Sequence, residues 1–198
     1  MKRIWTLLLC SVFLLSMTAC GSSAPKDSSA SNENSELSNP NKIAVVCFSG
    51  TGNTMEYAKM IADITGADLF EIIPAEEYTR EDLNYRDENC RANMEQNNPD
   101  ARPEIKNDLS SIKGYKTIYL GHPLWWGTNP RIIQTLLDKY DLSGATIYTF
   151  CTSGGSSIER SISDLQTLYP DLKIVTGKRL NNASHDDVKN WIDSLPEN

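Results

Sequence analysis

The sequence predicts a doubly wound α/β domain, with five parallel strands in the order 2-1-3-4-5 and helices on both faces. Two observations carry this reading. From residue 42 onward, short apolar runs rich in β-branched residues alternate with segments of helical periodicity. Three of those runs end in loops crowded with Gly, Ser and Thr. About 155 residues remain from there to the end, enough for one domain with a sizeable core.

Lys42–Cys47 reads as the first strand, and Tyr57, Ala58, Met60, Ile61 and Ile64 recur at helical spacing after it. Asp68–Ile73 is the second strand. A polar insertion follows over 74–110, in which Thr79-Arg80-Glu81-Asp82 resembles a helix capping box. Lys116–Leu120 is the third strand. Asn129–Tyr140 is a helix with Pro130 in its first turn and Ile132, Ile133, Leu136 and Leu137 inward. Thr146–Phe150 is the fourth strand, and Ser156-Ser157-Ile158-Glu159 caps the helix that runs to about Leu168. Leu172–Val175 is the fifth, and Ser184-His185-Asp186-Asp187 caps a last helix to about Leu195. There are no internal repeats.

The loops carry the chemistry. Ser49-Gly50-Thr51-Gly52-Asn53-Thr54 turns from a strand into a helix, so backbone N–H groups and the positive end of a helix dipole converge on an anion. A nucleoside-triphosphate loop needs Gly-Lys-Ser/Thr, and this one has no Lys. Ser49, Thr51, Asn53 and Thr54 are neutral donors that suit one terminal monophosphate. The third strand runs into Pro123-Leu124-Trp125-Trp126-Gly127, which offers a rigid indole wall. The fourth runs into Thr152-Ser153-Gly154-Gly155-Ser156, whose amides let a flat ring approach closely. In an open α/β sheet, ligands sit beyond the carboxyl ends of the strands, where strand order reverses, so the loops can meet at one crevice. A phosphate joined to an aromatic heterocycle is FMN.

The chain resembles the flavodoxin-like FMN-binding family over residues 42 to 195. Ser49–Thr54 matches the flavodoxin phosphate loop, whereas Pro123–Gly127 and Thr152–Ser156 are closer to the flavin loops of quinone-reductase-type flavodoxin-like enzymes. The resemblance implies a flavodoxin-like fold over 42–198, noncovalent FMN, and an FMN-dependent oxidoreductase passing electrons to quinone-like or other small acceptors. Its partners would be an electron donor and acceptor, small molecule or protein. A one-electron carrier serving a protein partner is the alternative, although carriers usually have an acidic, aromatic third loop with a Tyr stacked on the flavin. A non-catalytic ligand-binding lipoprotein is the remaining reading, and the intact hydroxyl set of the first loop argues against it.

Other residues leave alternatives open. His122 precedes Pro123 beside the expected flavin, as a proton donor or simply as an extended, hydrogen-bonded pre-proline residue. Successive residues in an extended loop point to opposite sides, so one of Trp125 and Trp126 faces the ring; the resemblance favours Trp126. Tyr85, Arg86 and Arg91 either close over the site or form a solvated surface. Asp141-Leu142-Ser143-Gly144-Ala145-Thr146 looks like the motif at which exported flavoproteins carry FMN covalently on the Thr. Its Asp stands one residue too close, and Ser-Gly is ordinary turn chemistry. No side chain is assigned as acid or base. Cys47 and Cys151 read as buried thiols, and neither the 5 Cys nor the 2 His show disulfide or metal spacing. A net charge of −7 argues against nucleic acid.

At the front, Lys2 and Arg3 precede the mostly apolar Ile4–Leu15 and the small-residue site Ser16–Cys20, the pattern of a secretory signal over 1–20. Met17-Thr18-Ala19-Cys20 resembles a bacterial lipobox, which implies acylation of Cys20 and a membrane-anchored, extracytoplasmic protein. Ordinary cleavage nearby would instead release it. Residues 21–41 have no aromatic residue and one Leu, so they are read as a disordered tether of about 25 Å mean span. Cys20→Ser should abolish labelling by a fatty-acid probe; persistent labelling, or retention in the cytoplasm, would contradict export.

Overall fold

The computed structural model describes residues 42–196. The expected signal, tether and acylated Cys20 lie outside them. Within them, five strands alternate with five α-helices: β1 Ile43–Cys47, α1 Asn53–Thr65, β2 Asp68–Glu71, α2 Arg91–Asn97, β3 Thr117–Pro123, α3 Arg131–Lys139, β4 Thr146–Thr152, α4 Glu159–Leu168, β5 Lys173–Arg179 and α5 His185–Asp193. All ladders are parallel and the strand order is β2-β1-β3-β4-β5, as the alternation predicts.

Each strand is sided by its own sequence. Ala44 and Val46 of β1, with Ile118 and Leu120 of β3 and Ile147 of β4, pack under Ile132, Ile133 and Leu136 of α3 and Leu165 of α4. Val45, Cys47, Tyr119, Tyr148 and Phe150 face the other way, onto Ala58 and Ile61 of α1 and Val188 and Trp191 of α5. Burial on both faces is why these runs are almost wholly apolar rather than alternating.

The edges of the elements differ from expectation in informative ways. β3 and β4 run on to Pro123 and Thr152, because the ladder continues through His122↔Cys151 and Pro123↔Thr152. β5 extends to Arg179, well past Val175. β2 ends at Glu71, where Ile73 N–H already bonds Asn107 Oδ1 instead of the sheet. The expected capping box at Thr79 forms, with reciprocal bonds between Thr79 and Asp82, yet it closes a turn and no helix follows. Side chain–backbone bonds of this kind stabilise turns as readily as helix starts. The insertion's helix is α2, further on, where Arg91 and Glu95 pair at 2.6 Å one turn apart. Ser156 does not cap α4, since Ile158 holds the cap position without a side-chain bond. Ser184 does cap α5, in a complete box with Asp187.

His122 lies in β3 with no exposed surface. Its Nδ1–H donates to the Pro123 carbonyl at 3.1 Å, and Nε2 stands 3.5 Å from the Ser161 hydroxyl. Burial pushes the imidazole from its ordinary 6.5 down to about 4, against a small opposing pull from the Pro123 carbonyl. The ring is therefore neutral and structural, the hydrogen-bonded pre-proline alternative. Because the unfolded chain takes the proton first, this group costs stability as pH falls from about 6.5 to about 4, and adds nothing further below that. His122→Gln should flatten the fall in urea-unfolding free energy over that window, by up to roughly 3 kcal/mol. Equal pH slopes for the two proteins would show that His122 is not held neutral.

Candidate functional site

The three loops meet. Beyond the carboxyl ends of β1, β3 and β4 lies one open cleft of about 880 Å³. It is lined by Gly50 and Thr51 from the first loop, Pro123 to Gly127 from the second and Ser153 to Ser156 from the third. Ser49, Gly52, Asn53, Thr54 and Thr152, also expected at the site, are not among the residues that line it. Leu83, Tyr85, Ala92 and Asn93 of the insertion, with Ser157 and Arg160, complete the wall.

The first loop is shaped for an anion. Gly52 takes a φ of +86°, the left-handed turn that sends the chain into α1, and Ser49 Oγ accepts the Thr54 N–H at 3.2 Å. The backbone N–H groups of Gly50, Thr51, Gly52 and Asn53 find no partner among the described residues. Such a cluster of largely solvent-facing N–H groups at the start of a 13-residue helix can seat an anion. Thr54, expected among the donors, is buried, and its hydroxyl pairs with Thr152 Oγ1 at 2.8 Å. That bond ties the first loop to the third.

The second loop is a tight turn. Trp125 and Thr128 exchange both backbone bonds, and Trp126 and Gly127 between them have φ of +54° and +78°, the pattern of a type I′ turn. Positive φ is strained for Trp. The two indoles differ in their surroundings, although both line the cleft. Trp125 packs edge-on against Phe48 and Tyr78, while Trp126 is 57% exposed at the cleft. The strain at Trp126 is held by the insertion: its Nε1–H donates to Asn93 Oδ1 at 2.8 Å. Asn93, itself buried, donates in turn to the carbonyls of Tyr85 and Asp87. Gln96 donates to the carbonyl of Asn129, just past the turn, at 3.1 Å.

The insertion residues divide. Tyr85 lines the cleft; Arg91 instead pairs with Glu95 and lies over the Tyr78 ring. Burial, and then Glu95, push the Tyr78 hydroxyl well above its ordinary range. In the third loop, Gly155 N–H bonds Ser153 Oγ and Ser153 N–H bonds Asn181 Oδ1, which leaves the Gly154 and Ser156 amides without partners among the described residues. Thr146 sits at the opposite, amino end of β4, after a turn closed by Asp141 Oδ1 and Ser143 N–H, and is not part of the cleft.

Among the lining residues, only Tyr85 and Arg160 are ionisable. Cys47 and Cys151 are buried away from the cleft, and burial raises both thiols, that of Cys151 to about 12. No group of three or more His, Cys, Asp or Glu could hold a metal among the described residues. The cleft can therefore bind, stack and donate hydrogen bonds, but it holds no acid–base pair of its own. Asn93 and Arg160 escaped sequence reasoning because nothing local marks a polar residue that acts across tens of positions.

Comparison with known proteins adds relatives of the same construction. A candidate flavoprotein structure from Bacteroides eggerthii is 38% identical, covering 79% of this chain and 99% of that one, with a TM-score of 0.76. One from Bacteroides uniformis is 40% identical, covering 78% and 99%, also at 0.76. A Lactobacillus acidophilus flavoprotein, solved in complex with FMN, is 25% identical over 77% of this chain and 99% of its own, at 0.60. No curated protein matches the chain. The flavodoxin family model matches residues 42–195, and this chain belongs to that family.

Proposed function

We propose that the cleft binds FMN noncovalently and that the domain is a flavin-dependent oxidoreductase delivering electrons to quinone-like or other small acceptors. The observation that carries the reading is the meeting of an amide cluster without protein partners, an exposed indole and a Gly-Gly amide loop around a single cleft. The complex of the Lactobacillus acidophilus relative with FMN supports the choice of cofactor. FMN would supply the redox chemistry. The first-loop amides and the Thr51 and Asn53 side chains would hold the phosphate. Trp126, fixed through Asn93, would wall the ring, and the free Gly154 and Ser156 amides would face a polar edge.

Two features favour small acceptors. The cleft stays open, with Trp126 57% and Tyr85 65% exposed, so a second flat molecule has access. Amides near a polar edge favour negative charge on that ring, which suits electrons delivered in pairs. The one-electron carrier reading draws on the chain's charge of −7, a surface suited to a basic protein partner. We also propose that Cys20 is acylated and holds the domain outside the cytoplasmic membrane, on the strength of the lipobox-like Met17–Cys20.

Purified protein should be yellow, and denaturation should release free FMN; a colourless protein that FMN cannot reconstitute would defeat the proposal. Anaerobic reductive titration then separates the readings: uptake in pairs supports the oxidoreductase, and uptake one electron at a time supports the carrier.

Thr51→Ala with Asn53→Ala should weaken FMN far more than riboflavin. Each change removes a bond to a charged acceptor, worth roughly 1.5–3 kcal/mol. Equal losses for the two ligands, measured by flavin fluorescence, would mean that the first loop does not hold the phosphate.

A further inference from the structure

A separate groove of about 390 Å³ opens between α3 and α4, on the face of the sheet that those helices cover. Its size falls at the small end of the range for small-molecule sites. No residue of the first or third loop lines it. α4 turns Arg160, Asp164 and Leu168 toward it, from positions that share one helical face. α3 supplies Arg131, and the end of α2 supplies Gln96. Trp126 and Arg160 belong both to this wall and to the wall of the cleft.

Arg131 is the unusual member of that wall. It is half-buried, and it forms no ion pair among the described residues. Instead Nε donates to the Glu95 carbonyl at 3.4 Å, Nη1 to Gln134 Oε1 at 3.3 Å and Nη2 to the Gln96 carbonyl at 2.8 Å. These neutral acceptors fix the plane of the guanidinium. They also leave one N–H on each terminal nitrogen without a partner among the described residues. Burial first, and then Arg102, disfavour the charge, and Asp164 and Asp100 offset this only in part. A fixed, half-desolvated guanidinium with free donors is complementary to an anion that presents two oxygens in one plane.

The rest of the wall decides what carries that anion. Arg160 holds Asp164 only loosely, with Nε 3.8 Å from Oδ2, while the Thr128 hydroxyl donates to the same oxygen at 2.6 Å. Two guanidiniums and one carboxylate leave a single positive charge, which one carboxylate neutralises and a phosphate dianion would overshoot. Leu168 and Trp126, 53% and 57% exposed, supply an apolar surface beside the charge. A flat apolar body laid against them removes that surface from water.

We propose that this groove binds a small aromatic monocarboxylic acid, with its carboxylate on Arg131 and its ring against Leu168 and Trp126. The inference takes nothing from the identity of the ligand in the cleft.

Benzoate is the probe, titrated by calorimetry into the protein as purified, beside benzamide and acetate. Benzoate should bind with a Kd of roughly 1 mM. Benzamide lacks the charge and acetate lacks the ring, so each should bind about tenfold more weakly or worse. Arg131→Gln should weaken benzoate about tenfold or more. Because Arg131 also bonds α2, Leu168→Asp is the second variant, an exposed change that sets a like charge beside the seat of the acid. It should weaken benzoate by the same order while the melting temperature holds, and it decides the matter if Arg131→Gln does not fold. Neither Arg131 nor Leu168 lines the cleft, so saturating FMN should not displace benzoate. The inference fails if benzoate does not bind at about 10 mM, or if benzamide binds as well as benzoate. It fails equally if the folded variants keep the natural affinity, or if FMN competes with benzoate, which would put the acid in the cleft. Should the protein not bind FMN at all, the proposed function falls, and the variants alone still decide this inference.

Discussion

A parallel sheet buried on both faces cannot place chemistry on its surfaces, because helices cover them. The only ground left open is the edge from which the loops leave. Here β1, β3 and β4 are neighbours in register, Cys47 beside Gly121 and Gly121 beside Phe150, so their loops start almost level. The Thr54–Thr152 hydroxyl pair, buried between the first and third loops, then holds two of them at a fixed spacing. The cleft follows from that alignment. Breaking either threonine would disturb two loops at once, since a buried hydroxyl left alone costs about 1–3 kcal/mol.

The sheet was legible because its signals are local and repeated. Every strand shows a short apolar run, and every crossover except the 74–110 insertion a helical stripe. The first loop was legible too, since Gly52 and the hydroxyl residues around it are contiguous. What escaped is instructive. Strand ends at Pro123, Thr152 and Arg179 were missed because a ladder is extended by its neighbour, not by its own composition. The insertion looked like surface because its residues are polar, yet Asn93 and Gln96 are buried and bonded to the second loop from about 30 positions away. Polarity in sequence tells how a residue meets water, not whether it has found a partner.

Trp126 joins these two halves of the molecule. Its backbone is strained by the turn, and its side chain is held by the insertion. A bulky residue at positive φ persists only where its surroundings over-determine it. Gly or Asn would suit the backbone better. The indole is thus kept for what it presents to the cleft, a reading the exposed ring supports.

The anchoring of that turn to the insertion also bears on exchange kinetics. The segment from 74 to 110 contains one seven-residue helix and otherwise mainly turns, and Asn93 ties its middle together through bonds to the carbonyls of Tyr85 and Asp87. Segments of that kind open locally at a fraction of the free energy that unfolds a buried sheet. When it opens, Asn93 leaves Trp126, and one wall of the cleft loosens while β1 to β5 stay intact. A ligand held there would then leave faster when the insertion is destabilised, from a protein that still melts normally.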